Sequence, residues 1–352
     1  MEELKAYLQS TSRAVEAFVK NADLSLMEPP EIREGALLYF NRGGKRLRPA
    51  LTTLFAGAYG GEEREKAALG AACAIELFHN WTLIHDDIID KDMTRRGGPS
   101  VQAYVDSKFE HPNSFEYATD AAILAGDSLH ALSARTFAAL PRYGVRAELA
   151  LALLELSEGE TVDKLIMGET LDTRFALIGG EVTEDDVKNM IAGKTGALFA
   201  LCAMAGTMIG LDITDRDDPR IKAAARFGFD CGLAFQLKDD VLGIVSDEKT
   251  LGKPIGGDIK EGKDTLIKLY ALSHAKGDQL STLKDAMGNR DADDALIEKT
   301  KKILSDCGAV AYADGLAREA SKRALESLSG IEDSRYKELI VQWARLTCDR
   351  SF

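Results

Sequence analysis

The chain has 352 residues, with 44 Lys and Arg against 57 Asp and Glu, a formal charge of −13, 45% hydrophobic and 29% charged residues. That composition is globular, large enough to bury a substantial core, and excludes disorder and low complexity. An isoelectric point near 5.0 excludes broad contact with a phosphate backbone, which needs a basic surface, so no nucleic-acid partner is expected. An anionic ligand would need a local cation cluster or bound metal.

Helical periodicity dominates, and no strand pattern is found. The N-terminal MEELKAYLQS alternates charged and apolar residues, unlike a signal peptide. Glu62 to Asp90 spaces Ala67, Ala71, Ala74, Ile75, Phe78 and Ile88 as a core helix requires. Further helices are predicted over 119–139, Arg146 to Leu177, 184–211, 219–245, 265–276, 294–305, 309–329 and 333–347. Thr183 before Glu184, Asp185 and Asp186 is an N-cap followed by acids that suit the positive end of a helix. Breaks fall at Pro29-Pro30, Gly60-Gly61, Gly97-Gly98-Pro99, Pro141, Gly179-Gly180 and Asp218-Pro219. The uncharged run Thr195 to Leu211 has 17 residues, short of the ~20 that span a bilayer, and reads as a buried helix rather than a membrane span. The five cysteines are widely spaced with no C-x-x-C pair, which fits a reducing, cytoplasmic setting without disulfides or zinc. No linker or repeat appears, so the reading is one all-α domain over residues 1–352.

Two loops concentrate cations beside glycines: Asn41 to Pro49, with Arg42, Lys45, Arg46 and Arg48, and Leu251 to Thr265, with Lys253, Lys260 and Lys263. Glycine permits close backbone approach to a ligand. Between them lies Leu83-Ile84-His85-Asp86-Asp87-Ile88-Ile89-Asp90. On a helix Asp86 and Asp90 share a face and Asp87 neighbours Asp90. Three carboxylates in an apolar setting repel one another unless a cation neutralises them, and oxygen donors without Cys suit Mg²⁺. Asp239 and Asp240, in Phe235-Gln236-Leu237-Lys238-Asp239-Asp240, repeat the pattern. Two such helices facing each other would frame a cavity with metal between its walls. Magnesium so placed takes substrate phosphates as remaining ligands. With Lys45, Arg48, Arg95, Arg96, Lys253 and Lys263 available, diphosphates are the expected substrates.

These residues together resemble the trans-isoprenyl diphosphate synthases, the polyprenyl synthetase family, over about residues 30 to 345. Gly43-Gly44-Lys45-Arg46-Leu47-Arg48-Pro49, Asp86-Asp87-Ile88-Ile89-Asp90, Arg95-Arg96-Gly97, Gly193-Lys194-Thr195, Phe235 to Asp240 and Gly252-Lys253-Pro254 follow the family's motif order, most closely that of archaeal-type geranylgeranyl diphosphate synthases. The resemblance implies an all-α bundle of ten or more mostly antiparallel helices around a deep central cavity, and a homodimer. It implies a prenyltransferase joining an allylic diphosphate to isopentenyl diphosphate head to tail, with two to three Mg²⁺ ions. Asp86, Asp90 and Asp239 would ligate metal, with Asp87 and Asp240 in the same clusters. Arg95, Lys194, Lys253 and Lys263 would neutralise the departing diphosphate, and fixed cations favour such a departure. Thr195 and Gln236 would present oxygen dipoles to the carbocation. Gly44, Lys45, Arg48, His79 and Arg96 would hold isopentenyl diphosphate.

Three departures stand out. Gly243 occupies the last position of the second acidic motif, so that contact must come from Asp240, water or substrate. Glu169 stands where the family usually has Gln, and Gln102 where some relatives have His. Trp81 lies five residues before Asp86, ~7.5 Å along a helix, with Phe78 deeper. The resemblance makes Trp81 the floor under the growing chain and the product C20, with C15 second. A class I terpene cyclase, which carries a different second metal motif, a helical metal phosphohydrolase and a silent partner subunit are the competing readings.

Overall fold

The computed structural model describes residues 1–24, 27–245 and 256–348, and almost all regular structure among them is helical. The chain divides into two units, one of Met1–Glu160, Leu201–Lys222 and Ile331–Trp343, the other of Thr161–Ala200, Ala223–Gly330 and Ala344–Phe352.

The first unit contains α1 (Glu2–Lys20), α2 (Pro30–Asn41), α3 (Leu47–Ala67), α4 (Leu69–Ile89), α5 (Val101–Asp106), α6 (Ser114–Ala138) and α7 (Ala147–Glu155). Its core gathers Tyr39, Cys73, Leu77, Ile84, Val101 and Leu129. Small residues on α6 (Ala121, Ala122, Ala125 and Gly126) let that helix lie close along α4, where Ser133 Oγ donates to Ala74 O at 2.7 Å. The predicted helix from Glu62 to Asp90 is two helices. The break falls at Ala68, where the axes of α3 and α4 differ by 82°. Apolar spacing survives such a bend, so the pattern alone did not mark it. A short antiparallel hairpin, β1 (Thr94–Arg95) with β2 (Gly98–Pro99), also went unpredicted, being too short to carry a period.

The second unit contains α8 (Val162–Leu177), α9 (Glu184–Ile191), most of α11 (Pro219–Val245), α12 (Gly257–Glu261), α13 (Leu266–His274), α14 (Asp278–Ala286), α15 (Asp294–Asp306) and α16 (Ala309–Glu326). The expected N-cap is present as a reciprocal capping box between Thr183 and Asp186. Two wide π turns interrupt predicted helices. Leu156–Thr161 joins α7 to α8, and Ala192–Gly196 joins α9 to α10 (Ala197–Leu211). The last helix is α17 (Arg335–Cys348). Unit boundaries fall inside α10, α11 and α17, which is why no linker composition announces them.

The run Glu184–Leu211 is long and apolar enough to cross a membrane, with mean hydropathy 1.4, but 89% of it is buried inside the protein, as in a core helix. All five cysteines are free thiols, four of them buried.

Candidate active site

In the first unit the acidic residues close α4. Asp86 and Asp90 stand four residues apart on one face, the first half-buried and the second exposed. Asp87 differs: it is fully buried. The Tyr39 hydroxyl donates to its Oδ2, and Arg95 donates to Oδ1 through Nε at 2.7 Å and through Nη2. Burial and the Asp87 carboxylate push the Tyr39 phenol well above its ordinary pKa, so it stays a donor. Both Asp87 oxygens are thus engaged by Tyr39 and Arg95. Asp87 lies about 100° around the axis from Asp86.

The hairpin after α4 presents the paired arginines. Arg96 and Gly97 both take positive φ, 53° and 73°, the geometry of a two-residue hairpin turn. A non-glycine residue held there is strained, and Arg96 is tied down by donating from Nη1 to Tyr39 O (2.8 Å) and Gly43 O (2.7 Å). Arg42 clamps the hairpin through Arg95 O (2.8 Å) and Pro99 O (2.7 Å), and Gln102 donates to the carbonyls of Asp87 (2.9 Å) and Asp92 (2.8 Å).

The glycine loop before α3 meets this hairpin, since a Cβ on Gly44 would lie 3.4 Å from Arg96 Nη1. Arg46, at φ 46°, is buried and pairs with Glu76 at 2.6 Å, leaving Lys45 exposed and Arg48 half-buried. Arg48 Nη1 lies 3.0 Å from His79 Nε2. Burial, with Arg48, Arg96, Arg46 and Arg95 nearby, holds the His79 imidazole well below its ordinary pKa, so the ring is neutral at pH 7. A guanidinium can only donate, so Nε2 accepts and the proton sits on Nδ1. That nitrogen is buried and finds no partner among the described residues. Lys45 and Arg96 form no ion pair among the described residues.

In the second unit two glycine contacts build the cation site. A Cβ on Gly168 would sit 2.2 Å from Lys194 N, and one on Gly193 would sit 2.4 Å from Lys164 O. Only glycine lets α8 touch the π turn. Lys194 then reaches Asp172 at 2.7 Å and Glu169 at 3.0 Å. On the other side, a Cβ on Gly232 would be 2.5 Å from Gly196 Cα, which carries Gln236, one turn on, to Thr195. Thr195 Oγ1 donates to Gln236 Oε1 at 3.3 Å, and Gln236 Nε2 donates to Asp240 Oδ1 at 3.0 Å. The amide nitrogen is thereby spent on Asp240 and its oxygen is presented beside Thr195.

Lys194, Thr195, Gln236, Asp240, Asp172 and Lys263 line a small cleft. Asp240 is 5% exposed. Burial pushes its carboxyl up to about 6, partly offset by Lys263 and the Gln236 hydrogen bond. Burial disfavours the Lys263 ammonium, but Asp172, Asp240 and Asp258 outweigh it and raise its pKa. Asp239 is half-buried one residue earlier. Asp258 was missed from the sequence. A Cβ on Gly243 would lie 2.9 Å from Asp258 Oδ2, so α12 brings a carboxylate to the motif position where α11 has none. Lys253 lies outside the described residues.

Among the described residues no three His, Cys, Asp or Glu side chains converge on a metal position. Magnesium does not need such a cage, binding through one or two carboxylates plus phosphate and water oxygens. Asp86 with Asp90, and Asp239, offer hard oxygen donors of that kind without competing thiolates.

Trp81 and Phe78 lie on α4 before the acids, Phe78 fully buried and Trp81 half-buried, with ring centroids 4.9 Å apart and planes at 88°.

Comparison with known proteins gives the same answer from another direction. The sequence profile of the family described as Polyprenyl synthetase matches residues 29–304. A geranylfarnesyl diphosphate synthase of Aeropyrum pernix is 34% identical over 328 residues, covering 90% of this chain and 94% of that protein. The crystal structure of a geranylgeranyl pyrophosphate synthetase from Pyrococcus horikoshii superposes with a TM-score of 0.86 at 32% identity, covering 99% of both chains. A geranylgeranyl pyrophosphate synthase from Corynebacterium glutamicum, complexed with isoprenyl diphosphate and magnesium, superposes at 0.82 with 25% identity over 99% of both chains.

Proposed function

Because the chain belongs to the polyprenyl synthetase family and is a trans-prenyltransferase, we propose that it condenses an allylic diphosphate with isopentenyl diphosphate to give the C20 product geranylgeranyl diphosphate. The observation that carries this reading is the cation cluster on an acidic chain. Arg48 touches neutral His79, and Arg96 packs on the Gly43-Gly44 loop that carries Lys45, which supports reading these four as the site for a diphosphate. The name of the Pyrococcus relative supports C20 over the C25 of the Aeropyrum one.

In this reading Lys45, Arg48, His79 and Arg96 bind the diphosphate of isopentenyl diphosphate. Arg95, fixed by Asp87, and the lysines Lys194, Lys263 and Lys253 are the cations that the family motifs assign to the allylic diphosphate. Asp86 with Asp90, and Asp239 with Asp240 and Asp258 near it in its own unit, would hold magnesium, which would supply positive charge to the leaving group. The allylic C–O bond breaks, its electrons staying with pyrophosphate. Fixed cations stabilise that charge without reorganising. Thr195 and the Gln236 oxygen present negative dipole to the allylic cation. The isopentenyl double bond forms the new C–C bond, and a proton leaves to pyrophosphate, so no side-chain base is required. Trp81 over Phe78 closes the floor that stops growth.

We place the enzyme in the cytoplasm as a homodimer. Phe115, Ile123 and Leu124 of α6 and Leu151 of α7 are exposed apolar residues, of the kind that mark interfaces when they form a patch.

The test is incorporation of labelled isopentenyl diphosphate with dimethylallyl, geranyl or farnesyl diphosphate, with and without Mg²⁺. The expected result is Mg²⁺-dependent C20 formation. Incorporation unaffected by chelation, or a cyclic hydrocarbon product, would contradict it.

A further inference from the structure

Gly126 on α6 makes room for the aromatic side chains of α4, since a Cβ there would sit 2.5 Å from the His85 ring and 3.3 Å from Trp81 Cδ1. One turn further along α6, His130 lies flat against Trp81, with centroids 4.2 Å apart and planes 20° from parallel. Phe78 stands edge-on to both rings, at 4.9 Å from Trp81 and 5.7 Å from His130. The imidazole does not end in solvent. Its Nε2 is 2.7 Å from Glu158 Oε2, and Ser157 Oγ donates to Glu158 Oε1 at 3.2 Å. Glu158 sits in the π turn Leu156–Thr161, a widened turn that re-aims side chains and is common at functional sites.

Trp81 also packs against the core of the first unit and stands edge-on to His85 at 5.8 Å, contacts along its edges rather than on its face. Its Nε1 is buried and makes no hydrogen bond among the described residues. An indole on a helix has more than one accessible rotamer. What selects this one is the flat face of an imidazole whose own position is set by a carboxylate from another element.

We infer that His130 and Glu158 are positioning residues for product length, a tethered imidazole that holds Trp81 across the path of the growing chain. This rests on the reading of Trp81 as the floor, and separates size from placement. If bulk alone stopped elongation, Trp81 would suffice whatever lay behind it. If placement matters, removing the backing lets the indole swing away and longer chains pass. Glu158 acts at one remove, through its contact with His130, and a neutral side chain of the same shape there serves as well as a charge.

The experiment is the product distribution of the purified enzyme given isopentenyl and farnesyl diphosphates, resolved by chain length. It compares Trp81→Ala, His130→Ala, Glu158→Ala and Glu158→Gln, each with its circular-dichroism melting curve. A purely structural role would move the melting curve and leave the product ratio alone. The expected result is a several-fold rise in C25 and longer products for Trp81→Ala, His130→Ala and Glu158→Ala. Glu158→Gln stays near C20, and the Trp81→Ala/His130→Ala double variant goes no further than Trp81→Ala. Longer products from Trp81→Ala with C20 retained in His130→Ala and Glu158→Ala would overturn the inference and leave the floor standing. C20 retained in Trp81→Ala as well would remove the floor, and the inference with it. Should His130→Ala not fold, Glu158→Ala decides alone.

Discussion

Asp86, Asp87 and Asp90 look equivalent in the sequence and are not. Asp87 is fully buried between Tyr39 and Arg95, while Asp86 is half-buried and Asp90 exposed. Helical spacing made the pairing of Asp86 with Asp90 legible. Nothing local could reveal a tyrosine 48 positions upstream as the partner of Asp87. Asp87→Asn should therefore lower kcat/KM by about tenfold or more through a loosened Arg95, with the half-saturating Mg²⁺ concentration unchanged. Asp86→Asn should raise that concentration. A Mg²⁺ titration of initial rates separates the two. Asp240 makes a second prediction at this scale. Its folded pKa of about 6 lies above the 3.8 of an ordinary Asp carboxyl. The folded state thus binds its proton more tightly than the unfolded chain, and stability falls as pH rises from about 4 to about 6. At pH 7.5 the metal-free protein carries that cost in full, of order 2–3 kcal/mol at ~1.4 kcal/mol per pKa unit. Asp240→Asn should raise the melting temperature of the metal-free protein at pH 7.5, gain little at pH 4, and lower activity. Calorimetry at the two pH values checks it.

Helix positions were largely readable from apolar period and punctuation, as the capping box at Thr183 shows. What period could not give was where helices touch. Gly168 and Gly193 appeared only as members of motifs, yet their backbones meet closely enough that neither tolerates a Cβ. Gly193→Ala should destabilise by about 1–3 kcal/mol through overpacking and lower activity by displacing Lys194. Gly315, inside α16 with nothing within 4 Å of an added Cβ, is the contrasting case. Gly315→Ala should stabilise by up to ~1 kcal/mol from helix propensity alone and leave activity as it was. Denaturant melts of both variants beside wild type test the pair. The π turns were equally hidden, because one extra residue in a turn leaves composition untouched. They carry Lys194 and Glu158, the residues that anchor the cation site and the Trp81 backing.

Across the whole molecule, charge is the organising quantity. A chain of net −13 gathers arginines around the Gly44 loop and its hairpin, and lysines beside Asp172 and Asp240. The family motifs were legible in order because the chemistry needs those residue types, and the match over residues 29–304 agrees. Asp258 was not legible, since its role depends on α12 folding back to Gly243. The central claim is that the Asp-rich motifs act through Mg²⁺ on the diphosphate of the allylic substrate. Its most direct measurement is calorimetric titration with a thiolo analogue of farnesyl diphosphate, which binds without ionising, into wild type, Asp86→Asn and Asp239→Asn, with Mg²⁺ and with chelator. Tight binding by wild type in Mg²⁺, reduced to the chelator value by either substitution alone, is the predicted result. Affinity indifferent to chelation, or retained in full when Asp86 or Asp239 is neutralised, would contradict the account.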